Sequence, residues 1–228
     1  MCIRGRAWSG PSPVVGGNYN PATMTAGVYT YTVAGTPPCP ATSATVTVTE
    51  NTAPNAGTNG TLTVCSTGGA VSLLAQLGGG PQGGGTWAGP SPVGGAGNYN
   101  PATMNPGVYT YTIVGVAPCT NATATVTVTE NPAVTAGSNG NLSICATGAA
   151  VALSASLGGA PQTGGTWSGP SPVVGGMYDP ATMTGGAYVY TVTGTAPCPN
   201  ATATVTVTEN ATTTVSYTHL TLPTSDLV

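Results

Sequence analysis

The side chains with the most definite chemistry in this sequence are cysteines that recur at fixed intervals. Cys39, Cys119 and Cys198 are 80 and 79 residues apart, and Cys65 and Cys145 are 80 apart. Within one period, a cysteine of the second set is followed 54 or 53 residues later by one of the first set. This spacing predicts two disulfides within repeats, Cys65–Cys119 and Cys145–Cys198. Each would close a loop that stabilises its repeat by about 4 kcal/mol, and such bonds indicate an oxidising compartment.

Two cysteines stay outside this pairing. By the same spacing, the partner of Cys39 would precede the first residue of the sequence, and Cys2 does not fit the register. We therefore expect Cys39 and Cys2 to be unpaired and the first repeat to supply only its C-terminal half. Zinc is the alternative role for the thiols, but it needs four ligands, and each repeat holds two cysteines and no histidine.

Groups for acid–base or nucleophilic catalysis are almost absent. Only 3% of the residues are charged, and His219 is the single histidine. Asp179 and Glu209 are the only two carboxylates that share a repeat, whereas glycoside hydrolysis needs two that face each other. No basic side chain occurs between residues 7 and 214, which argues against nucleic-acid binding. We predict no catalytic or metal-binding residues, no enzyme activity, no cofactor, and, without a long apolar run, no membrane insertion.

Glutamates stand at the ends of the repeats, where some tandem domains hold calcium. These residues are Glu50, Glu130 and Glu209. Calcium takes six to eight oxygen ligands, usually from several carboxylates. One carboxylate per junction is fewer than a calcium site usually has. A solvated glutamate at the end of a strand is the favoured interpretation, and calcium is the alternative.

The segments that must position these residues are short and alternate in polarity. Motifs around Trp8, Trp87 and Trp167 recur at spacings of 79 and 80 residues, and each period ends in Thr-Val-Thr-Val-Thr-Glu. Valines on one side and threonines on the other indicate strands with one buried face. With Gly- and Pro-rich turns between them, the strands predict an all-β protein of tandem β-sandwich domains of about 80 residues.

One motif carries a family resemblance. Gly107-Val108-Tyr109-Thr110-Tyr111 resembles the start of strand F in the immunoglobulin fold, without its cysteine. The chain is similar to the immunoglobulin-like or PKD-like repeats of large secreted, adhesin-type surface proteins of gliding bacteria. This resemblance implies tandem immunoglobulin-like domains with tyrosine corners at Tyr109 and its equivalents Tyr29 and Tyr188. It also implies that Trp87, like Trp8 and Trp167, is a core aromatic residue.

The resemblance implies an extracellular or bacterial cell-surface location and a role as a spacer or stalk that presents an adhesive region. Its partners would be the neighbouring repeats of the same chain. The alternative is an adhesive or carbohydrate-binding module that acts by avidity, contacts surface glycans or proteins, and uses Trp87 with Tyr99 as a sugar platform.

The ends of the sequence depart from the repeat. Residues 215–228, and also residues 1–4, resemble the translation of a sequencing adapter, as expected for a metagenomic fragment. We therefore predict artefact at 1–6, half a repeat at 7–50, complete repeats at 51–130 and 131–213, and an artefact tail at 214–228. His219, Tyr217, Cys2 and Arg4 then carry no function.

Overall fold

The structure, a computed structural model, describes residues 3–211, with side chains from residue 5 onward. Cys2, the side chain of Arg4 and the segment 212–228 with Tyr217 and His219 lie outside that part. The strands in chain order are β1 (Ile3–Ser9), β2 (Gly27–Gly35), β3 (Thr42–Val48), β4 (Gly60–Cys65), β5 (Val71–Ser72), β6 (Thr86–Ala88), β7 (Asn98–Tyr99), β8 (Gly107–Ile113), β9 (Ala122–Asn131), β10 (Gly140–Cys145), β11 (Val151–Ala152), β12 (Thr166–Ser168), β13 (Met177–Tyr178), β14 (Gly186–Val192) and β15 (Ala201–Asn210).

The predicted all-β class is confirmed. Besides strands, the described chain contains two single-turn 3-10 helices, at Leu74–Gln76 and Leu153–Ser156. A four-stranded sheet of order β4-β9-β8-β6 accompanies the pair β5-β7, and a sheet of order β10-β15-β14-β12 accompanies the pair β11-β13. Two sheets per repeat are the two layers of an immunoglobulin-like sandwich. The first repeat contributes a three-stranded sheet of order β1-β2-β3.

Each four-stranded sheet contains one parallel pairing. β4 runs parallel to β9, and β10 runs parallel to β15. The hairpins β2–β3 and β14–β15 are antiparallel, as are the pairs β5–β7 and β11–β13. The first strand of each complete repeat therefore ends beside the end of the last strand, at the boundary with the next repeat.

The last strand of each complete repeat follows the predicted alternation. Ala124, Val126 and Val128 of β9 are buried, while Thr123, Thr127 and Thr129 are exposed. The same pattern recurs in β15. In the third repeat the equivalent valines of β15 pack in one buried cluster, whose larger members are Leu153, Leu157, Tyr178, Tyr188 and Tyr190. Burial of this apolar face is the main stabilising term of each sandwich.

Contacts divide the chain into two compact units. Among the described residues, one comprises 3–59, Leu77–Trp87 and Thr110–Thr125, and the other comprises Gly60–Gln76, Ala88–Tyr109 and 126–211. Both units include parts of the repeat 51–130, so the boundaries derived from the sequence stay a prediction.

Candidate functional site

The most specific chemical feature of the structure is a disulfide between Cys65 and Cys198. The two residues are 133 positions apart in sequence, with their Cα atoms at 4.8 Å. Cys65 ends β4, opposite Asn131 of β9, and Cys198 precedes β15. The bond therefore joins two consecutive repeats.

The pairing that we predicted within repeats, Cys65–Cys119 and Cys145–Cys198, is wrong in this structure. The reason is the parallel strand. Cys145 lies opposite Asn210 at the C-terminal end of β15, whereas Cys198 lies before that strand begins. A ten-residue strand is about 30 Å long, and a disulfide requires Cα atoms within about 7 Å. The two cysteines of one repeat are thus at opposite ends of its last strand, and Cys119 and Cys145 carry thiols.

Hydrogen bonds surround this disulfide. The side-chain amide of Asn131 donates to the carbonyl oxygen of Ala196 at 2.7 Å, and the backbone N–H of Ser66 donates to the carbonyl oxygen of Asn131 at 2.9 Å. The N–H of Ala133 donates to the Ser66 hydroxyl at 3.0 Å. The Sγ of Cys198 lies 3.3 Å from the carbonyl oxygen of Asn131. Covalent and polar contacts thus fix the turn before β15 against the end of the preceding repeat.

The preceding boundary repeats part of this arrangement. The side-chain amide of Asn51 donates to the carbonyl oxygen of Ala117 at 2.7 Å, and the thiol of Cys119 donates to the carbonyl oxygen of Asn51 at 3.3 Å. Asn51 and Cys119 are the equivalents of Asn131 and Cys198, one repeat earlier. The geometry of the two boundaries is therefore the same around the cysteine, but only the later one contains a disulfide among residues 3–211.

A second feature, missed at the sequence level, is a tyrosine–glutamate hydrogen bond that recurs in each repeat. The hydroxyl of Tyr99 donates to Oε1 of Glu130 at 2.5 Å, and equivalent bonds join Tyr19 to Glu50 and Tyr178 to Glu209. Glu50 is exposed, as we expected of a glutamate at the end of a strand, whereas Glu130 and Glu209 are partly buried, and each of the three accepts a hydrogen bond from a tyrosine. The constant spacing of 31 residues is the signal that could have identified these pairs.

These bonds and burial hold the tyrosines in their neutral form. Burial, and secondly the hydrogen bond to Glu130, raises the pKa of Tyr99, and burial followed by the Glu209 bond raises that of Tyr178. The pKa of Tyr19 is raised to about 12, chiefly by its hydrogen bond to Glu50. Each glutamate thus has a fixed partner in its own repeat. Within residues 3–211, no three His, Cys, Asp or Glu side chains come together as a metal site would need.

The aromatic residues singled out from the sequence occupy two kinds of position. Tyr29, Tyr109 and Tyr188 are buried, and each hydroxyl donates to a backbone carbonyl four residues earlier at 2.6 Å. This is a local bond of the tyrosine-corner type. The three tryptophans, in contrast, are only half-buried. Trp87 packs against Tyr111 with ring centroids 4.9 Å apart, and the pairs Trp8–Tyr31 and Trp167–Tyr190 are similar.

These positions change the sugar platform that we predicted at Trp87 and Tyr99. Tyr99 is completely buried and cannot stack on a ligand. Trp167 lines an open cleft of about 580 Å³ together with Gln162, Thr166 and Tyr190. A half-buried tryptophan that lines an open cleft could stack on a sugar, so this alternative now depends on the tryptophan without the tyrosine.

Comparison with known proteins gives only structural neighbours. No protein-family model and no curated protein matches the chain. It is similar to an I-band fragment of titin, with a TM-score of 0.47 and 11% identity over 91% of this chain and 88% of that chain. It is also similar to a Glu-to-Ala variant of three titin domains, with a TM-score of 0.43 and 12% identity over 82% of this chain and 75% of that chain. A third similar structure is that of immunoglobulin domains 1–4 of Sidekick-1, with a TM-score of 0.27 and 14% identity over 90% of this chain and 66% of that chain. The immunoglobulin-like class rests on the sheet order and the tyrosine hydrogen bonds above.

In the part of the chain that the structure describes, no helix has the length and apolar character needed to cross a bilayer.

Proposed function

We propose that these repeats are a covalently linked spacer in an extracellular or cell-surface protein of bacteria. The observation that supports this function is the disulfide between Cys65 and Cys198, which crosses from one repeat to the next. A bond within a repeat would stabilise that repeat alone. A bond across the boundary restricts the motion of one repeat against its neighbour, which is what a spacer needs.

The composition supports the same role. With 3% charged residues there are few groups for salt to screen or for pH to titrate, so the contacts depend little on external conditions. The tyrosines bonded to the glutamates at the ends of the complete repeats have a raised pKa, and these tyrosines stay neutral over the physiological range. A disulfide also fits an oxidising, extracellular environment.

Small-angle X-ray scattering of the full chain tests the proposal. The wild type would be compared with Cys65→Ser, and Cys145→Ser would serve as the control because that thiol is exposed and not in a disulfide. We expect Cys65→Ser to broaden the distribution of interatomic distances and Cys145→Ser to leave it unchanged. Identical distributions for all three proteins would contradict a spacer that depends on this bond.

The second candidate function is a carbohydrate-binding module, which the half-buried Trp167 in its open cleft supports. Stacking of a sugar on an indole face would make binding dependent on that ring. A glycan array with the wild type and Trp167→Ala distinguishes the two functions. Binding that the substitution abolishes favours the module, and the absence of binding by the wild type favours the spacer.

A further inference from the structure

The sheet of the first repeat has an uncovered edge. Its strand order is β1-β2-β3, so among the described strands none pairs with the outer edge of β3. In the other two repeats the equivalent edge is covered, by β4 on β9 and by β10 on β15. β3 is therefore a last strand without the parallel partner that its two equivalents have.

The apolar face of β3 is uncovered as well. Val46 is 50% exposed, whereas its equivalents Val126 and Val205 are 0% exposed. Ala44 is also exposed, although its equivalent Ala124 is buried. The sequence of β3 is that of a buried strand. Its exposure therefore reflects the neighbouring strand and the facing layer that cover its equivalents and that are not found around β3 among the described strands.

Two cavities border the three-stranded sheet near β3. One is bounded by Trp8, Tyr29, Val46 and Val48. The other lies at the end of the strand, between Glu50, Asn51 and Cys119. Cys119 is the equivalent of Cys198, which is bonded to the last residue of β4. The apolar cavity lies against one face of the sheet, because its lining comes from β1, β2 and β3. The second cavity, at the end of β3, includes a thiol.

The two strands that cover equivalent edges have nearly the same sequence. They read Asn-Gly-Thr-Leu-Thr-Val-Cys at 59–65 and Asn-Gly-Asn-Leu-Ser-Ile-Cys at 139–145. The side chains of Asn59 and Asn139 accept hydrogen bonds from the N–H groups of Thr125 and Thr204, at 2.9 and 2.8 Å. The equivalent donor on the uncovered edge is Thr45. The asparagine of the pattern thus has an equivalent donor in Thr45 of β3, and its cysteine has an equivalent partner in Cys119.

We propose that β3 and Cys119 form an acceptor site for an extended segment of the pattern Asn-Gly-x-Leu-x-(Val/Ile)-Cys. The segment adds to the sheet in parallel, with its glycine opposite Val46, its leucine opposite Val48 and its cysteine opposite Asn51, as in the register of β4 on β9. Main-chain hydrogen bonds supply part of the affinity, and the pockets for alternate side chains supply the specificity.

The covalent step is a thiol–disulfide exchange. The thiolate of Cys119 attacks the sulfur of the incoming cysteine, which is held in a mixed disulfide with a small thiol. The new sulfur–sulfur bond forms as the small thiol leaves as a thiolate and takes up a proton from solvent. No net oxidation is needed, and the product is the equivalent of the Cys65–Cys198 bond.

The test uses the full chain and a synthetic peptide with the sequence of residues 57–68, its cysteine coupled to glutathione. Mass spectrometry with peptide mapping would follow the transfer to each thiol, with rates divided by those for oxidised glutathione alone. We expect transfer to Cys119 to be at least tenfold faster than to Cys145. We also expect a peptide with Leu62→Asn and Val64→Asn to react at least tenfold more slowly at Cys119. Equal rates for the two peptides, or for the two thiols, would overturn the proposal.

A matched pair of variants tests the strand itself. Val46 and Val28 are 50% and 53% exposed, but only Val46 borders the apolar cavity. Val46→Thr is expected to slow the transfer at Cys119 at least threefold, and Val28→Thr to leave it unchanged. An equal effect of both variants would contradict the proposed position of the peptide.

Amide hydrogen exchange supplies a readout that is independent of covalent chemistry. In Cys119→Ser with a Cys65→Ser peptide, the amides of Thr45 and Thr47 should exchange more slowly than without the peptide. If these amides are already as protected as those of β9 in the free chain, another segment covers the edge and the proposal fails. This result is separate from the spacer function, which depends on the Cys65–Cys198 bond.

Discussion

Loss of the disulfide between the second and third repeats should be the most damaging change that a single side chain can produce here. Cys198→Ser leaves the fold of each sandwich intact but removes the covalent constraint on the unfolded chain. The closed loop has a sequence separation of 133 residues. In the chain-entropy model such a loop corresponds to about 5 kcal/mol, as an upper value.

Guanidinium chloride unfolding measures this loss. With a dependence of about 3 kcal/mol per molar, the midpoint of Cys198→Ser should fall by about 1.5 M. Cys65→Ser should give the same shift, and the double variant should be no worse than either single one, because all three lack the same bond. Dithiothreitol should lower the wild-type midpoint to that of the variants.

The remaining thiols are the internal controls. Cys145→Ser should not change the midpoint, since Cys145 is exposed and lies outside the disulfide. A non-reducing digest should yield one peptide pair that contains Cys65 and Cys198. If Cys119→Ser lowers the midpoint as much as Cys65→Ser does, or if the digest recovers Cys65 with Cys119, the reasoning from the parallel strand is refuted.

Three further predictions concern single side chains, each read from denaturant midpoints. Tyr99→Phe should cost about 2 kcal/mol, because Glu130 loses a hydrogen bond that its charge strengthens; no loss would contradict the role of the pair. The pKa of Tyr99 is raised above 10, so at high pH the folded chain keeps a proton that the unfolded chain releases. The stability of the wild type should therefore fall as pH rises above about 10. The Tyr99→Phe variant should lose less stability over the same pH range, because it lacks the contribution of this hydroxyl. Gly89→Ala should cost about 3 kcal/mol, since a Cβ there would lie 2.3 Å from the Tyr109 ring, whereas Gly83→Ala, with nothing within 4 Å, should be neutral.

The repeat and the all-β class could be predicted because they depend on local pattern. The alternation of valine and threonine at 123–129 indicates a strand with one buried face, and the structure buries that face in β9. The position of Tyr109 could be predicted as well, because the hydroxyl of a corner tyrosine bonds a carbonyl only four residues away. These features need no knowledge of how distant strands pair.

The cysteine pairing could not be derived from spacing, because it depends on strand direction. An antiparallel first strand would bring Cys145 near Cys198, whereas the parallel pairing of β10 with β15 separates them. The tryptophans, which we expected in the core, are only half-buried for a related reason. β6, which carries Trp87, is the outermost strand of its sheet, and the indole packs against Tyr111 of the neighbouring strand β8. Whether a strand lies at the edge or in the centre of a sheet depends on the sheet order, which a single sequence does not contain.

The disulfide across the repeat boundary has a mechanical consequence. A pulling force that enters through β4 and leaves through β15 passes from Cys65 directly to Cys198, along a covalent bond. The residues between these two cysteines lie within the closed loop and bear none of that tension. Even if both sandwiches lost their hydrogen bonds under load, that part of the chain could not be drawn out until the sulfur–sulfur bond was reduced. Extension of this segment is therefore controlled by reducing agents as well as by force.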